Sequence, residues 1–264
     1  MRNMKLIAAS LALILFSQFS LSALAGLFRM TERQEIMVGA QAATQVEKTQ
    51  PILRDKTVTD YVSKLGRKLV VHSYRADIPY RFRVVNSKQV NAFALPGGFI
   101  YINRGLIEES ETENELVGVI AHEIGHVAGR HGVTQVARAQ KANLALGVSR
   151  LLLGRVRGGS TIFNGARLVT QGTFLKFSRD HERDADRRGA YMMHAAGWNA
   201  EGMVSFFDKL SKSGSSRAAA FLSTHPSPSE RRDNVSDLIA LWHGDGRINS
   251  QEFKNIKARL RKIN

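Results

Sequence analysis

Ser110-Glu111-Thr112-Glu113-Asn114-Glu115-Leu116-Val117-Gly118-Val119-Ile120-Ala121-His122-Glu123-Ile124-Gly125-His126-Val127-Ala128-Gly129-Arg130-His131-Gly132 is the stretch on which the rest of the chain turns. Ser110 with Glu113 three residues on has the form of a capping box. Glu111, Glu113 and Glu115 suit the positive end of a helix. Leu116, Val117, Ile120, Ile124 and Val127 supply an apolar side at helical spacing, and Gly132 offers a stop. A helix opening at Ser110 is therefore expected to carry everything in between.

Inside it stands His122-Glu123-Ile124-Gly125-His126, an H-E-x-x-H pattern. Residues i and i+4 lie one above the other on a helix, so two imidazoles so placed can share one zinc ion. Glu123 sits one residue off that line, beside the metal, where it can take a proton from water. Zinc lowers the pKa of a bound water to about 7 and polarises a carbonyl. The bland alternative is a pair of surface histidines on a charged helix.

A catalytic zinc needs a third protein ligand and an open position. In one class that ligand is a His six residues after the second. Gly129 fits that pattern, but the required position holds Gly132. His131 comes one residue early and, on a continuous helix, points away from the ligand face, which makes it structural or supporting. The other solution is a carboxylate on a later helix. Glu182 and Asp186 are i and i+4 within a helical stretch expected over Phe174–Ala196. Glu182 can bind the metal while Asp186 accepts a hydrogen bond from a ligand His. Spacing alone leaves this open, because Arg179, Arg183, Arg187 and Arg188 also suit a solvated face.

Outward from the motif, Thr31–Lys48 and Val58–Val71 read as helices. Tyr80, Phe82 and Val84 alternate as one strand. Val90–Leu95 and Phe99–Ile102 flank Pro96-Gly97-Gly98, which predicts a hairpin. Met203–Leu210 and Arg231–Trp242 are expected helices, with Ser223–Ser229 a polar loop between them. Gly147–Gly172 reads as a glycine-rich loop near the site. His72, His181, His194 and His243 show no partner pattern and are taken as structural. The predicted fold is α+β: mostly helices, with a small antiparallel sheet beside the H-E-x-x-H helix.

The 264 residues suit one domain, with 43% hydrophobic and 23% charged residues. Arg2 and Lys5 precede the apolar run Leu6–Phe16, and Ala23-Leu24-Ala25 follows. That is the form of a secretory signal peptide over residues 1–25, cut before Gly26, and it places the mature chain in the periplasm. The rival is a retained anchor, for which the run is short. Residues 26–264 form the single domain, with a basic helical tail from about 243. There is no Cys, which excludes disulfides and lipid attachment through Cys. A net charge of +15 attracts polyanions, which leaves two readings, a solvated basic surface or peripheral contact with an anionic membrane or lipopolysaccharide. No nucleic-acid module is present, and no nucleic-acid partner is expected.

H-E-I-G-H followed by Ser178-Arg179-Asp180-His181-Glu182-Arg183-Asp184-Ala185-Asp186 resembles the CAAX-prenyl-protease-type family of gluzincin peptidases. Asn91-Ala92-Phe93-Ala94-Leu95-Pro96-Gly97-Gly98 is similar to that family's strand before the active-site helix, and Thr224-His225-Pro226 with Arg231 to its late element. The resemblance covers roughly Thr31–Leu241. It implies Glu182 as third ligand of one zinc per chain and Asp186 as its supporting Asp. It also implies His225 and Arg231 near zinc and substrate, either stabilising the oxyanion or, for His225, holding the site latent. The strand at Asn91, Ala92, Phe93 and Ala94 is expected to bind extended substrate by edge pairing. The expected activity is zinc metalloendopeptidase action on unfolded or misassembled envelope proteins. Some periplasmic members carry a C-terminal helical repeat domain, and none is expected here. The alternative is a zinc-stabilised chaperone or adaptor, against which an intact Glu123 argues.

Overall fold

The computed structural model describes residues 30–139, 177–212, 219–226, 228–240, 242 and 246–263. The expected signal peptide and the Gly147–Gly172 loop lie outside them. In chain order the elements are α1 (Glu32–Thr49), α2 (Lys56–Val70), β1 (Arg81–Val85), β2 (Ala92–Leu95), β3 (Phe99–Asn103), α3 (Arg104–Glu109) and α4 (Glu113–Ala128). Helical turns at residues 131–139 follow. Then come α5 (Arg179–Ala195), α6 (Glu201–Lys212), α7 (Ala219–Thr224), α8 (Pro228–Ile239) and α9 (Gln251–Leu260). The α+β reading holds.

The sheet has the order β1-β3-β2. β2 and β3 form the expected antiparallel hairpin, turning through Gly97 and Gly98 at φ 75° and 94°. β1 joins β3 in parallel, so the sheet is mixed rather than antiparallel. Burial sets the strand order. β3 is covered on both faces along its whole length and takes the centre, which leaves β1 to pair with its far side. Ile100 and Ile102 face the main core, while Phe99 and Tyr101 face Ala42, Ala43 and Val46 of α1. β2 is left as an edge.

α4 runs through the middle of the main core, and every one of its side chains is buried. Its start differs from expectation. Ser110 ends the unforeseen short helix α3, its Oγ donating to the Leu106 carbonyl at 2.9 Å. Thr112 stands at the N-cap of α4, and its hydroxyl bonds Asn114 Oδ1 instead of the backbone. Its end differs too. Gly129 caps the helix, and Arg130 takes a left-handed φ of 54°, so Gly132 is not the stop. α7 runs to Thr224 and α8 starts at Pro228, so helix reaches into both ends of the loop expected at Ser223–Ser229.

The basic C-terminal stretch is helical over Gln251–Leu260. Ser250 caps it by accepting from the Phe253 N–H at 3.0 Å. Phe253, Ile256 and Leu260 bury themselves in the main core. At about 1.5–3 kcal/mol per large apolar side chain, these three fasten the end of the chain to α2 and α3.

Candidate metal centre

α4 and α5 cross at glycines. A Cβ on Gly125 would lie 2.5 Å from the Ala185 carbonyl oxygen, and one on Gly189 would lie 3.1 Å from Ala121 C and His122 N. Without side chains there, the helix backbones approach closely. That approach brings Glu182 and Asp186 of α5 against His122 and His126 of α4. Ser178 starts α5 by accepting from His181 N–H, and Asp180 and Glu182 occupy its first turn. The arginines of the same helix point the other way, into ion pairs such as Arg183–Glu230 at 3.0 Å.

Four buried donors converge: His122, His126, Glu182 and His225. His122 Nε2 is 2.9 Å from His126 Nε2, 3.2 Å from His225 Nδ1 and 3.5 Å from Glu182 Oε2. His126 Nε2 is 3.4 Å and His225 Nδ1 3.2 Å from Glu182 Oε1. Four ligands around a tetrahedral zinc sit about 3.4 Å from one another, so these separations are the edges of such a tetrahedron. Nitrogen, nitrogen, nitrogen and carboxylate oxygen is also a donor set that suits zinc. The residues fit the ion.

Support for the ligands is equally buried. His122 Nδ1 lies 2.8 Å from Asp186 Oδ1. Arg231, 2% exposed, grips Asp186 with Nε at 2.8 Å and Nη2 at 2.7 Å. Its Nη1 is 2.9 Å from Glu182 Oε2, an ion contact without hydrogen-bond alignment. Its guanidinium carbon stands 4.1 Å from the centre of the Phe207 ring. Arg231 therefore pairs with neither of its sequence neighbours Glu230 and Asp233. Its nitrogens are occupied by the carboxylates that hold the site.

The charges explain the titration behaviour. Burial and the nearby Arg231 oppose a charge on His122, yet Asp186 and Glu182 outweigh them and push it up to about 9. Burial drives His126 well below its usual range, with His122 adding to the effect. Burial raises Asp186 and Glu182, but Arg231 overcomes this and holds both low. Glu123 goes the other way, raised by burial. Both its oxygens are buried without a hydrogen-bond partner. The His225 ring stands beside it, with Nε2 3.5 Å from Oε1. An orphaned buried carboxylate costs stability and marks a group kept for another purpose.

The remaining sequence candidates fall as follows. β2 lies beside the centre, since Ala94, Leu95 and Pro96 border a hollow shared with His126 and Phe177. Ala92 and Ala94 are buried, Phe93 stacks on Tyr101 at 5.0 Å, and Asn91 keeps a buried Oδ1 without a partner. His225 belongs to the donor set instead of standing off it. His131 turns its back on the metal position yet touches His126 Nδ1 at 2.9 Å. Phe177 was not foreseen. It stacks on His126 at 3.8 Å, and no periodicity in its neighbourhood signals that contact.

Comparison with known proteins gives the same picture. The model of Peptidase family M48 matches residues 56–239. The beta-barrel assembly-enhancing protease of Escherichia coli (strain K12) is 31% identical over 233 residues, covering 86% of this chain and 48% of that protein. Mitochondrial metalloendopeptidase OMA1 of Arabidopsis thaliana is 30% identical over 202 residues, covering 76% of this chain and 40% of its own. Metalloprotease YcaL of Escherichia coli (strain K12) is 28% identical over 165 residues, 61% of this chain and 63% of its own. The chain spans about half the length of the first two relatives. With the four-donor centre and a family model covering well over half its length, this chain belongs to the M48 family of metalloendopeptidases.

Proposed function

We propose that this chain cleaves internal peptide bonds of unfolded or misassembled envelope proteins, using one zinc held by His122, His126 and Glu182. The observation that carries this reading is Glu123, a buried carboxylate with both oxygens free of hydrogen bonds, beside a tetrahedral donor set. When bound, zinc polarises the scissile carbonyl and lowers the pKa of water toward neutrality. Glu123 accepts a proton from the attacking water as its oxygen adds to the scissile carbon. It then delivers that proton to the departing amine as the C–N bond breaks. Burial raises its affinity for the proton between the two events.

Asp186 fixes the ring of His122, and Arg231 fixes Asp186 and Glu182, so Arg231 acts as a positioning residue. His225 supplies a fourth donor and closes the set. In this reading the ring withdraws to admit substrate, which keeps the resting site latent. Extended substrate pairs with the edge of β2 at Asn91, Ala92, Phe93 and Ala94. The choice of envelope proteins is supported by the N-terminal pattern of residues 1–25 and by bacterial relatives named for enhancing beta-barrel assembly. A periplasmic location follows from the same pattern. No helix among the described residues is long and apolar enough to cross a membrane. Contact with an anionic membrane or lipopolysaccharide is peripheral in this reading, through the basic surface of the chain.

The test compares wild type with Glu123→Gln for zinc content and cleavage of unfolded casein. Both should hold one zinc, with cleavage by the variant lower by about 10²–10⁴-fold, the usual contribution of a general base. Wild type without zinc, or a variant that cleaves at the wild-type rate, overturns the reading.

A further inference from the structure

We propose that His131 is a positioning residue for the metal site, fixing the tautomer of His126 through a hydrogen-bond chain that ends at Asp184; this rests on the zinc reading above. Proton placement carries the inference. His126 Nε2 faces the other donors, 2.9 Å from His122 Nε2 and 3.4 Å from Glu182 Oε1. A metal takes the lone pair on that nitrogen, so the ring's one proton must sit on Nδ1. Nδ1 lies 2.9 Å from His131 Nδ1. Two N–H groups cannot face one another, so His131 accepts there and carries its own proton on Nε2. That nitrogen is 3.2 Å from Asp184 Oδ2. Asp184 in turn accepts from Arg188 Nε at 2.6 Å and Arg187 Nη2 at 3.0 Å. Each proton in the chain has one place to be. His122 reaches its carboxylate directly, through Asp186, whereas His126 reaches one through a second imidazole.

The backbone is shaped to deliver His131. On an unbroken helix a residue five positions after His126 would point about 140° away from it. Arg130 breaks the helix at φ 54° and brings His131 back. A non-glycine residue in that region is strained and needs outside support. Arg130 has it: Nε donates to Glu35 Oε2 at 2.9 Å and Nη2 to the Met30 carbonyl at 2.6 Å. Glu35 is 1% exposed and is held in addition by Arg75 Nη1 at 3.0 Å. Gly129 leaves the space. A Cβ there would lie 2.4 Å from His131 Nε2 and 2.9 Å from Asp184 Oδ2, displacing both ends of their contact. The His181 ring stacks on His131 at 4.4 Å and 12°, which fixes its plane.

Zinc affinity tests this, measured on the full chain by competition with a fluorescent zinc chelator, with circular dichroism to follow folding. His131→Ala should bind zinc about 10–100-fold more weakly than wild type, the usual effect of removing such a partner. His131→Asn places Oδ1 near the position of Nδ1, where it can accept from His126, and should recover most of the loss. Asp184→Asn is on a half-buried side chain and leaves every proposed ligand in place, with circular dichroism checking its fold. It should weaken zinc several-fold by removing the charge at the end of the chain. His131→Ala or Asp184→Asn with wild-type zinc affinity overturns the proposal, as does His131→Asn no tighter than His131→Ala. Wild type that takes up no zinc overturns the metallopeptidase reading itself, and this proposal with it.

Discussion

One nitrogen of His225 lies 3.5 Å from Oε1 of Glu123 and the other 3.2 Å from Oε1 of Glu182, so a single ring spans the proposed base and a proposed ligand. A centre with four protein donors has the closed form of a structural zinc site, whereas catalysis needs one position open. His225→Ala should therefore retain zinc and cleave casein faster than wild type. If the resting site is open about a tenth of the time, the gain is roughly tenfold. Steady-state cleavage with metal content on the same samples checks this. Slower cleavage would instead give His225 the task of stabilising the oxyanion.

Arg231 is a buried cation between two buried carboxylates, and it has no aqueous alternative. Removing one partner of such a group leaves uncompensated charge and costs about 3–5 kcal/mol. Arg231→Ala should lose that much stability in urea unfolding, measured with chelator so that metal does not mask the effect. Arg231→Lys keeps the charge but not the two-pronged grip on Asp186, and should fall between. A loss below about 1 kcal/mol for Arg231→Ala, as for a surface pair, would remove its positioning role.

Gly125 is the contact point of the two ligand-bearing helices. In Gly125→Ala the new methyl meets the backbone of Ala185, which cannot rotate aside. Over-packing of this kind costs about 1–3 kcal/mol. Because α5 must shift, zinc affinity should drop too, although no ligand has been touched. Urea unfolding and zinc titration of the one variant should change together. Unchanged zinc affinity in a destabilised variant would show that the helix spacing does not tune the centre.

The edge of β2 makes a prediction about substrates. Pairing with a strand edge relies on backbone amides, each hydrogen bond contributing about 0.5–1.5 kcal/mol. N-methylation of one substrate amide that pairs with β2 should raise KM by about three- to tenfold and leave kcat nearly unchanged. Methylation at the neighbouring amides, which point away, should do little. A uniform response along the peptide would rule out edge pairing.

Legibility in the sequence followed the range of the physics involved. His122, Glu123 and His126 were readable because i, i+4 geometry is local. Glu182 and Asp186 were half readable. Their spacing was right, but arginines crowd the same helix, and spacing cannot say which face meets the core. The resemblance supplied that choice. Sheet direction was not readable, because alternation along β1 has no polarity. Ser110 and Gly132 misled because each satisfies a helix-end rule in sequence, whereas the helix starts after Thr112, whose hydroxyl caps no backbone amide, and ends at Gly129. His131 reads as structural or supporting, but a continuous helix gives it no contact with His126. The one hint against continuity was the pair of glycines flanking Arg130-His131, at Gly129 and Gly132.

α4 carries His122, Glu123 and His126 on a segment whose every residue is buried. If the proposed endopeptidase accepts only extended chain, this segment of one copy is thereby safe from its siblings. Its amides should exchange with solvent only when the whole domain opens, so a neighbouring copy finds nothing to cut in this segment until the blade itself has come apart.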